Sequence, residues 1–346
     1  MRILVTGATG LVGSHAAARL ARDGHSLRVL ARNPARVPLA LEPLGLRDVD
    51  VIEGDVCDGA AVERALAGCD AVLHAAALLT FDRARVPEME RTNVDGAREV
   101  LGRAVAHGCD PVVMVSSAAA LESEAGRPLS EDAPVGAPRD PYGRTKADAE
   151  RVARTLQQQG APVVCVYPGA VWGPDDPTVG DQVTTILAMV QSGYYLSTSG
   201  GMPIIDVRDL AEAIAVMMAP GRGPRRYMLA GRFQSHDDMH RLYSAITGRR
   251  LLRIPVPGAL LRLAGRAGDL LREHTGFDPG AITLESMQLA TFGLHGDDRR
   301  TLADLGIALR PTEETLRDQL RFMVEKGLVT PEQAGRAAGT PATRPA

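Results

Sequence analysis

The sequence predicts an α/β fold built on a doubly wound parallel sheet, with a smaller, mostly helical substrate region towards its C-terminal end. Short β-branched runs alternate with longer helical patterns over residues 1–172, and a glycine-rich turn joins the first strand to the first helix. The 346 residues leave room for one large or two modest domains with a substantial apolar core. We therefore expect a globular protein organised around a parallel sheet.

The first strand runs into the turn Thr-Gly-Ala-Thr-Gly-Leu-Val-Gly over residues 6–13. Gly7 permits the sharp turn, Gly10 lets the backbone approach a pyrophosphate, and Gly13 lets the helix pack closely on the strand. The N-terminus of the following helix adds oriented N–H donors and a partial positive charge. The turn predicts a Rossmann-type domain in which a dinucleotide is bound by Gly7, Thr9, Gly10, Leu11, Val12 and Gly13.

Six strands are predicted in the first domain, at residues 3–5, 26–30, 49–52, 71–74, 112–115 and 163–166. Helices are predicted between them at residues 11–22, 59–66, 87–107 and 142–159. The helices at 11–22, 87–107 and 142–159 end at Gly24, Gly108 and Gly160, and a glycine suits the left-handed residue that ends a helix. This alternation is typical of a parallel sheet with helices on both faces.

The alternation becomes irregular after Trp172, where Gly-Pro-Asp-Asp-Pro is typical of a turn between two regions. We assign residues 1–172 to the dinucleotide-binding domain, with 204–230 returning to it, and residues 173–203 and 231–329 to the substrate-binding region. Further helices are predicted at 181–191, 209–219, 258–272, 281–290 and 313–325, a capping box at 235–238, and short strands at 204–207 and 227–229. The stretch 330–346 lacks an apolar face and is predicted to be a disordered tail.

Composition excludes several classes of function. A net charge of -3 with interspersed signs and 3% aromatic residues argue against nucleic acid as a partner. The four cysteines form no Cys-x-x-Cys pair, so we expect neither a metal site nor a disulfide framework. This use of cysteine favours a reducing compartment. The N-terminal apolar run is too short for a secretory signal, which favours a cytoplasmic location.

The segment 251–271 is apolar and basic together, and no transmembrane segment is predicted because charges interrupt it. It could lie on a membrane surface, and we favour packing over the cofactor domain instead. A homodimer is compatible with the sequence, which leaves the oligomeric state open.

Tyr142 and Lys146 stand four residues apart in a predicted helix, so both side chains project from one face. A nearby ammonium favours phenolate and is expected to lower the pKa of the phenol from about 10 towards neutrality. Such a phenol serves as general acid or base in the proton transfer that accompanies hydride transfer to or from a carbonyl. Ser116 and Ser117 end a strand at the carboxyl edge of the sheet, where one hydroxyl is placed to hold the substrate oxygen.

Four motifs in this order resemble the extended short-chain dehydrogenase/reductase superfamily: Thr6-Gly7-x-x-Gly10-x-x-Gly13, His74-Ala75-Ala76-Ala77, Ser116-Ser117 and Tyr142-x-x-x-Lys146. The resemblance covers residues 1–328. Within the superfamily, residues 115–118 and 256–261 look like those of the dihydroflavonol reductase and 3-beta-hydroxysteroid dehydrogenase group.

The resemblance implies that Tyr142 is the acid/base, that Lys146 binds the nicotinamide ribose and lowers the tyrosine pKa, and that Ser117 orients the carbonyl. Ser117 is preferred because it lies 25 residues before Tyr142 and opens Ser-Ala-Ala. Asn93 matches an asparagine with a structural or relay role, and Tyr167 stands where many relatives have an arginine, which bears on how an acidic or nucleotide-linked substrate is held. The implied cofactor contacts, besides the glycine-rich turn, are Asp55, Val56, Ala75, Ala76, Ala77, Ser116, Tyr142, Lys146, Pro168, Gly169, Ala170 and Val171.

Cofactor choice is expected to depend on the end of the second strand, where an acidic residue would bind the adenosine ribose of NAD. The chain has no carboxylate there and has Arg32 and Arg36 instead. These arginines are predicted to pair with the 2'-phosphate of NADP, with two solvated arginines and NAD as the alternative.

The sequence therefore predicts an NADP(H)-dependent oxidoreductase that interconverts a ketone or aldehyde with an alcohol. A mainly apolar set of candidate lining residues favours a lipophilic substrate: Leu79, Thr80, Phe81, Tyr194 and Tyr195. A nucleotide-sugar epimerase with tightly held NAD is the main alternative, and the missing acidic residue at Ala31 argues against it. A non-catalytic NADP-binding regulator is the second, although such proteins commonly lose the tyrosine or lysine. Substrate identity and reaction direction stay open.

Overall fold

The computed structural model describes residues 1–80, 82–122, 127–138, 140–178, 181–275, 284, 287, 291 and 293–339. The strands of this part of the chain are β1 (Arg2–Thr6), β2 (Ser26–Ala31), β3 (Asp50–Glu53), β4 (Ala71–His74), β5 (Val112–Val115), β6 (Val163–Pro168), β7 (Ala170–Trp172), β8 (Tyr194–Ser197), β9 (Gly201–Asp206), β10 (Arg225–Leu229), β11 (Arg232–Ser235) and β12 (Leu252–Pro255). Its helices are α1 (Leu11–Arg22), α2 (Arg36–Leu41), α3 (Gly59–Leu66), α4 (Val86–Glu90), α5 (Gly96–Ala106), α6 (Pro141–Gln158), α7 (Asp181–Ser192), α8 (Val207–Met217), α9 (His236–Thr247), α10 (Gly258–Thr275), α11 (Arg299–Leu305), α12 (Thr312–Glu325) and α13 (Pro331–Ala334).

Seven strands form one parallel sheet in the order β3-β2-β1-β4-β5-β6-β10. The chain moves outwards from β1 in one direction through β2 and β3, and then returns to start the other half at β4. The doubly wound fold class is confirmed, and the six strands predicted in the first domain all form. The strand order reverses between β1 and β4, the place where sheets of this kind bind their ligands.

Apolar side chains alternate between the two faces of β1, which explains the helical layer on each side. Ile3 and Val5 lie in a core with α1 and α8, whereas Leu4 lies in a second core with α3 and α5. All three side chains are fully buried. A strand that is apolar on both faces needs cover on both, and α1, α8, α3 and α5 provide it.

A third core lies outside the large sheet, with Trp172, Tyr243, Leu316 and Met323 among its buried members. Two small sheets accompany it, with strand orders β11-β9-β7 and β12-β8. The strands β8, β11 and β12 are four residues long and were not predicted from the sequence. Such short segments leave little periodicity to read.

The segment 204–230 is shared between the sheets. β9 pairs with β7 and β11, whereas β10 pairs with β6 at the edge of the large sheet and α8 packs on α1. The capping box predicted at 235–238 is present: the Ser235 side chain accepts from the Asp238 N–H, and the Asp238 side chain accepts from the Ser235 N–H. The domain boundaries themselves stay a prediction.

Residues 330–339 differ from the disordered tail predicted for 330–346. Thr330 and Gln333 form a capping box that starts α13, and Ala334 and Ala337 are fully buried in the third core. The capping box Thr-x-x-Gln was the signal that could have predicted this turn. Residues 340–346 lie outside the described residues, as does the helix predicted at 281–290 apart from Leu284 and Met287.

No helix among the described residues is both long enough and apolar enough to cross a lipid bilayer.

Candidate active site

Most of the predicted site residues meet at one edge of the large sheet because they follow the carboxyl ends of parallel strands, whereas Tyr142 and Lys146 lie on α6. The glycine turn follows β1, Arg32 follows β2, Asp55 and Val56 follow β3, and the alanine run 75–77 follows β4. Ser116 and Ser117 follow β5, and residues 168–171 end β6 and begin β7. The topology therefore collects residues from six strands around the point where the strand order reverses.

Gly7 and Gly13 are required by the packing around the turn. Gly7 has a φ of 77°, and a Cβ there would lie 2.5 Å from the backbone of Ala75. A Cβ on Gly13 would lie 2.1 Å from the Gly7 carbonyl oxygen. Both contacts are far below van der Waals distance, so α1 can approach β1 and β4 this closely only without side chains at these positions.

Gly10 differs from its neighbours because its missing side chain faces open space. The nearest heavy atom to a Cβ placed there is the Gly7 carbonyl oxygen, 3.6 Å away. Gly10 is the N-cap of α1, and no side chain caps this helix. The free space and the uncapped N–H groups fit a pyrophosphate, which the positive end of a helix favours.

Asp140 and Pro141 set the start of the helix that carries the predicted catalytic pair. Pro141 occupies the first turn of α6, and the Asp140 carboxylate accepts a hydrogen bond from the Gly143 N–H. Tyr142 thus lies in the first turn and Lys146 one turn later, on the same side of the helix. The Lys146 Nζ lies 5.9 Å from the centroid of the Tyr142 ring.

The Ser117 hydroxyl neighbours the Tyr142 phenol and acts on its pKa, as expected if both hold one substrate oxygen, and it also accepts from the Ala119 N–H at 3.1 Å. Both side chains are partly exposed. Burial raises the pKa of Tyr142 to about 12, the Asp140 charge acts in the same direction, and the Ser117 hydroxyl acts against them. The sequence predicted a lowered pKa for Tyr142. The structure differs because burial dominates the pKa of the phenol, while the Lys146 ammonium donates to the Val115 carbonyl.

Lys146 points instead towards the end of β5. Its ammonium donates to the Val115 carbonyl oxygen at 3.2 Å, and its side chain is buried. Burial lowers the pKa of Lys146 to about 8, and the Glu150 carboxylate opposes this shift. Lys146 is therefore a buried cation whose protonation depends on a carboxylate one helical turn away.

Glu150 is the centre of a buried polar network that the sequence reasoning missed. Its carboxylate accepts from the Ser116 hydroxyl at 2.8 Å, from the Tyr167 hydroxyl at 2.5 Å and from Arg154 at 2.9 Å. Glu150 and Tyr167 are fully buried. The spacing Lys146-x-x-x-Glu150-x-x-x-Arg154 places alternating charges on one helix face and was the available signal.

This network changes the interpretation of two predicted residues. Tyr167 was expected to affect how a substrate is held, but its hydroxyl binds Glu150 inside the protein, where a substrate does not reach it. The Ser116 hydroxyl also faces Glu150, whereas Ser117 faces Tyr142. The choice of Ser117 as the candidate for the substrate oxygen agrees with this geometry, and cofactor binding by Ser116 stays a prediction.

Asn93 lies in a π-helical turn, Arg91–Asp95, between α4 and α5. Its side-chain amide accepts from the Leu78 N–H at 2.7 Å and donates to the Leu78 carbonyl at 2.9 Å and to the Thr145 hydroxyl at 2.9 Å. Asn93 therefore fixes the loop after β4 to the catalytic helix. Of the two roles expected for Asn93, structural and relay, these contacts correspond to the structural one.

His74 is a further buried group beside the site. Its Nδ1 lies 2.8 Å from the Thr6 hydroxyl, and burial together with the Lys146 charge lowers the pKa of His74 to about 3. A cavity no larger than one water molecule lies between His74, Asn93 and Lys146. The imidazole is neutral at neutral pH and so adds no second positive charge next to Lys146.

The adenosine end of the predicted cofactor site contains a residue that the sequence did not indicate. Arg32 is exposed, and its guanidinium lies 3.4 Å from the carboxylate of Glu88 on α4. Arg36 is also exposed, at the start of α2. The second strand thus ends without a carboxylate of its own, but the fold brings Glu88 to it.

The predicted substrate contacts separate in the structure. Leu79 is exposed in the loop after β4, Thr80 is half-buried, and Phe81 lies outside the described residues. Tyr195 is buried in the third core with its hydroxyl 3.2 Å from His236 Nδ1, whereas Tyr194 is exposed on β8. The two tyrosines therefore point to opposite faces of one strand.

Comparison with known families identifies the chain. Residues 3–230 match the model of the NAD dependent epimerase/dehydratase family. The chain belongs to this family. It is thus an NAD(P)-dependent enzyme of the short-chain dehydrogenase/reductase type, and the resemblance seen in its motifs is confirmed.

Its relatives include both reductases and epimerases. A putative dihydroflavonol 4-reductase from Synechocystis sp. is 27% identical over 335 residues, covering 94% of this chain and 95% of the relative. A UDP-glucose 4-epimerase from Neisseria meningitidis is 27% identical, covering 78% of this chain and 87% of the relative. A 4-hydroxy-2-methyl-3-oxo-4-farnesyl-3,4-dihydroquinoline-1-oxide ketoreductase from Stigmatella aurantiaca is 32% identical over 66% of this chain and 68% of its own length.

Solved structures share the whole fold. The crystal structure of gox2253 superimposes with a TM-score of 0.80 at 25% identity, covering 94% of this chain and 98% of that one. MoeE5, solved in complex with UDP-glucose and NAD, gives a TM-score of 0.71 at 22% identity, covering 94% of this chain and 99% of that chain.

Proposed function

We propose that this protein is an NADP(H)-dependent oxidoreductase that interconverts a lipophilic ketone or aldehyde with an alcohol. The observation that carries the proposal is the pair of neighbouring hydroxyls of Tyr142 and Ser117, placed at the carboxyl edge of the sheet on the side of the glycine cradle. Two neighbouring hydroxyls converge on one point. A substrate oxygen at that point would bind both.

The residues would divide the work as follows. The space at Gly10 and the N-terminus of α1 would hold the pyrophosphate of the cofactor, which supplies or accepts the hydride when it is bound. Ser117 would orient the carbonyl oxygen. Tyr142, whose raised pKa of about 12 keeps its proton in place at neutral pH, would donate that proton to the oxygen as it gains charge. Protonated Lys146 would attract the ribose and stabilise the phenolate left behind.

Relatives support a lipophilic substrate. The ketoreductase from Stigmatella aurantiaca carries a farnesyl group in the name of its substrate, and a ceramide reductase from Caulobacter vibrioides is 28% identical over 84% of this chain. These names describe those proteins. They favour a carbonyl compound with a long apolar part.

The main test separates a reductase from an epimerase. The purified protein is mixed with NADPH or NADH and with a panel of long-chain ketones, aldehydes and UDP-glucose, and nicotinamide absorbance is followed with product analysis. We expect stoichiometric loss of NADPH with an apolar carbonyl compound. Conversion of UDP-glucose without net loss of cofactor would contradict the proposal and support the epimerase.

The epimerase remains the second candidate because UDP-glucose 4-epimerases are among the relatives, at 27% identity over 78% of this chain. The buried position of Tyr167 argues against the epimerase. Tyr167 stands where many relatives have an arginine, and its hydroxyl donates to Glu150 inside the protein, so it is not available to hold a nucleotide-linked substrate. A non-catalytic regulator is disfavoured because Tyr142, Lys146 and Ser117 are all present and converge.

The preference for NADP rests on Arg32 and Arg36, two exposed cations after β2. Arg32→Ala is expected to raise the KM for NADPH about tenfold and to leave the KM for NADH within about twofold, because only NADPH carries the 2'-phosphate. Glu88→Gln is the matched variant: it frees Arg32 from its ion pair and is expected to lower the KM for NADPH. Equal KM changes for both cofactors would overturn the preference. The cytoplasmic location and the homodimer stay predictions.

A further inference from the structure

Exposed large apolar side chains are concentrated in one part of the described chain. Ten are exposed in all, and the two outside this part are Leu39 and Leu79. The other eight define what we name the leucine face: Tyr194, Leu196, Leu252, Ile254, Leu260, Leu263, Leu270 and Leu271. Single exposed leucines are ordinary on protein surfaces, but exposed apolar side chains that share one side of an element mark a site of interaction.

The first half of the leucine face is one side of the two-stranded sheet. β8 and β12 are parallel, with Leu252 opposite Tyr194 and Ile254 opposite Leu196. Side chains alternate along a strand, so these four lie on one side of the sheet. On the other side, Tyr195 is buried. On β8 this other side is covered, whereas Tyr194, Leu196, Leu252 and Ile254 form an apolar side that faces solvent.

The second half of the leucine face is the outward side of α10. Compared with an ordinary surface helix, the buried and exposed residue types of α10 are reversed. Its glycines Gly258, Gly265 and Gly268 are buried, whereas Leu260, Leu263, Leu270 and Leu271 are exposed by up to 62%. At 100° per residue the four leucines occupy one stripe of the helix. A surface helix normally turns its leucines inwards. This helix keeps them available for something outside the chain.

Positive charge flanks the leucines. Residues 249–275 contain six arginines and two carboxylates, Asp269 and Glu273. Arg262 and Arg266 lie one helical turn apart beside the leucine stripe and are exposed, as is Arg250 before β12. Asp269 lies 3.9 Å from Arg272 and accepts from the Leu284 N–H, so its charge is used within the protein.

We propose that the leucine face docks on the surface of an anionic lipid membrane, with α10 lying in the plane of the interface. Leucines would enter the boundary between headgroups and acyl chains, and the arginines would pair with lipid phosphates, as in amphipathic helices that bind membranes. A second copy of the chain fits this surface less well. A symmetric contact would bring the same arginine-flanked patch against itself, so the arginines of the two copies would repel each other.

This inference goes beyond the proposed reaction and does not depend on it. Its test is co-sedimentation of the full chain with vesicles of equimolar phosphatidylglycerol and phosphatidylcholine, and with vesicles of phosphatidylcholine alone. We expect binding to the anionic vesicles that weakens with salt. The double variant Leu263→Gln/Leu270→Gln is expected to bind the anionic vesicles at least about tenfold more weakly. The double variant Arg262→Gln/Arg266→Gln is also expected to bind at least about tenfold more weakly, but only on the anionic vesicles.

Leu39→Gln is the matched control, since Leu39 is an exposed leucine on α2 outside the leucine face. It is expected to bind like the unaltered protein. All these positions are exposed, so the variants are expected to fold, which circular dichroism checks. Absence of vesicle binding by the unaltered protein, or equal binding by the leucine variant, would overturn the proposal. A different result would also overturn it: light scattering shows that the unaltered protein is a dimer and the leucine variant is not, and neither protein binds vesicles.

Discussion

The large sheet with its flanking helices, which we name the cofactor half, and the α10 segment use glycine in the same way and leucine in opposite ways. In the cofactor half, glycines lie where backbones cross, at Gly7 and Gly13, and leucines such as Leu4 and Leu101 are fully buried. In α10, glycines also face inwards, but the leucines face solvent. The first half is therefore complete as a packed unit. The second carries an apolar surface that its own fold does not cover.

This difference shows that leucine serves stability in one region and is available for interaction in the other. A glycine under a helix permits close packing in both regions. Leucine stabilises the fold only where it is removed from water, at about 25 cal/mol per Å² of apolar area. Substitutions at matched pairs of positions therefore separate the two regions experimentally.

The largest effect is expected from Gly13→Ala. The new Cβ would lie 2.1 Å from the backbone oxygen of Gly7, so α1 must move away from β1. We expect a loss of about 3–5 kcal/mol of unfolding free energy together with loss of cofactor binding, measured by denaturant titration and by fluorescence of bound NADPH. Gly102→Ala on α5 is the control, because a Cβ there has no neighbour within 4 Å and is expected to stabilise slightly. Similar stability of the two variants would show that the cradle is not tightly packed.

A smaller difference is expected between two leucines. Leu101→Ala removes a fully buried side chain from α5 and should cost about 2–5 kcal/mol of unfolding free energy. Leu263→Ala removes an exposed side chain from α10 and should change stability by less than about 0.5 kcal/mol. Thermal and chemical unfolding of both variants measures the contrast. A cost above about 2 kcal/mol at Leu263 would mean that the leucine face is internal to the fold.

A third effect concerns pH. Lys146 has a pKa of about 8 in this structure, so activity that needs its ammonium should be level below that pH and fall above it. Glu150→Gln removes the negative charge that favours the ammonium, and the alkaline fall should move to lower pH. The profile of kcat/KM against pH measures this shift. Asp148→Asn removes an exposed carboxylate from the same helix and should leave the profile in place; an equal shift in both variants would contradict a specific role for Glu150.

The sequence was sufficient to predict the large sheet because its signals are local. Apolar runs, a glycine turn and helix-ending glycines each lie within a few residues of the element that they specify, and α1 and α3 form with the predicted bounds. The constellation of Ser117, Tyr142 and Lys146 was predictable for a related reason. Strand ends meet at one edge of a parallel sheet, so residues distant in sequence are brought together by topology alone.

What could not be predicted depends on contacts between distant segments. The pairing of Arg32 with Glu88 joins residues 56 positions apart, and the burial of Tyr167 against Glu150 requires the exact packing of α6 on β6. The outward side of α10 is a further case. Its apolar and basic pattern was visible, but packing over the cofactor domain was favoured, and only the structure shows the leucines exposed. Periodicity reveals that a helix has an apolar stripe and does not reveal which side the rest of the chain covers.

The most direct test of the account compares the two tyrosines. Tyr142→Phe and Tyr167→Phe each remove one phenolic hydroxyl, the first at the predicted site of proton transfer and the second inside the Glu150 network. With NADPH and an apolar carbonyl substrate, we predict that Tyr142→Phe lowers kcat about 10²–10⁴-fold, whereas Tyr167→Phe keeps kcat within about threefold and loses about 1–3 kcal/mol of unfolding free energy. An unchanged kcat in Tyr142→Phe would contradict the proposed mechanism.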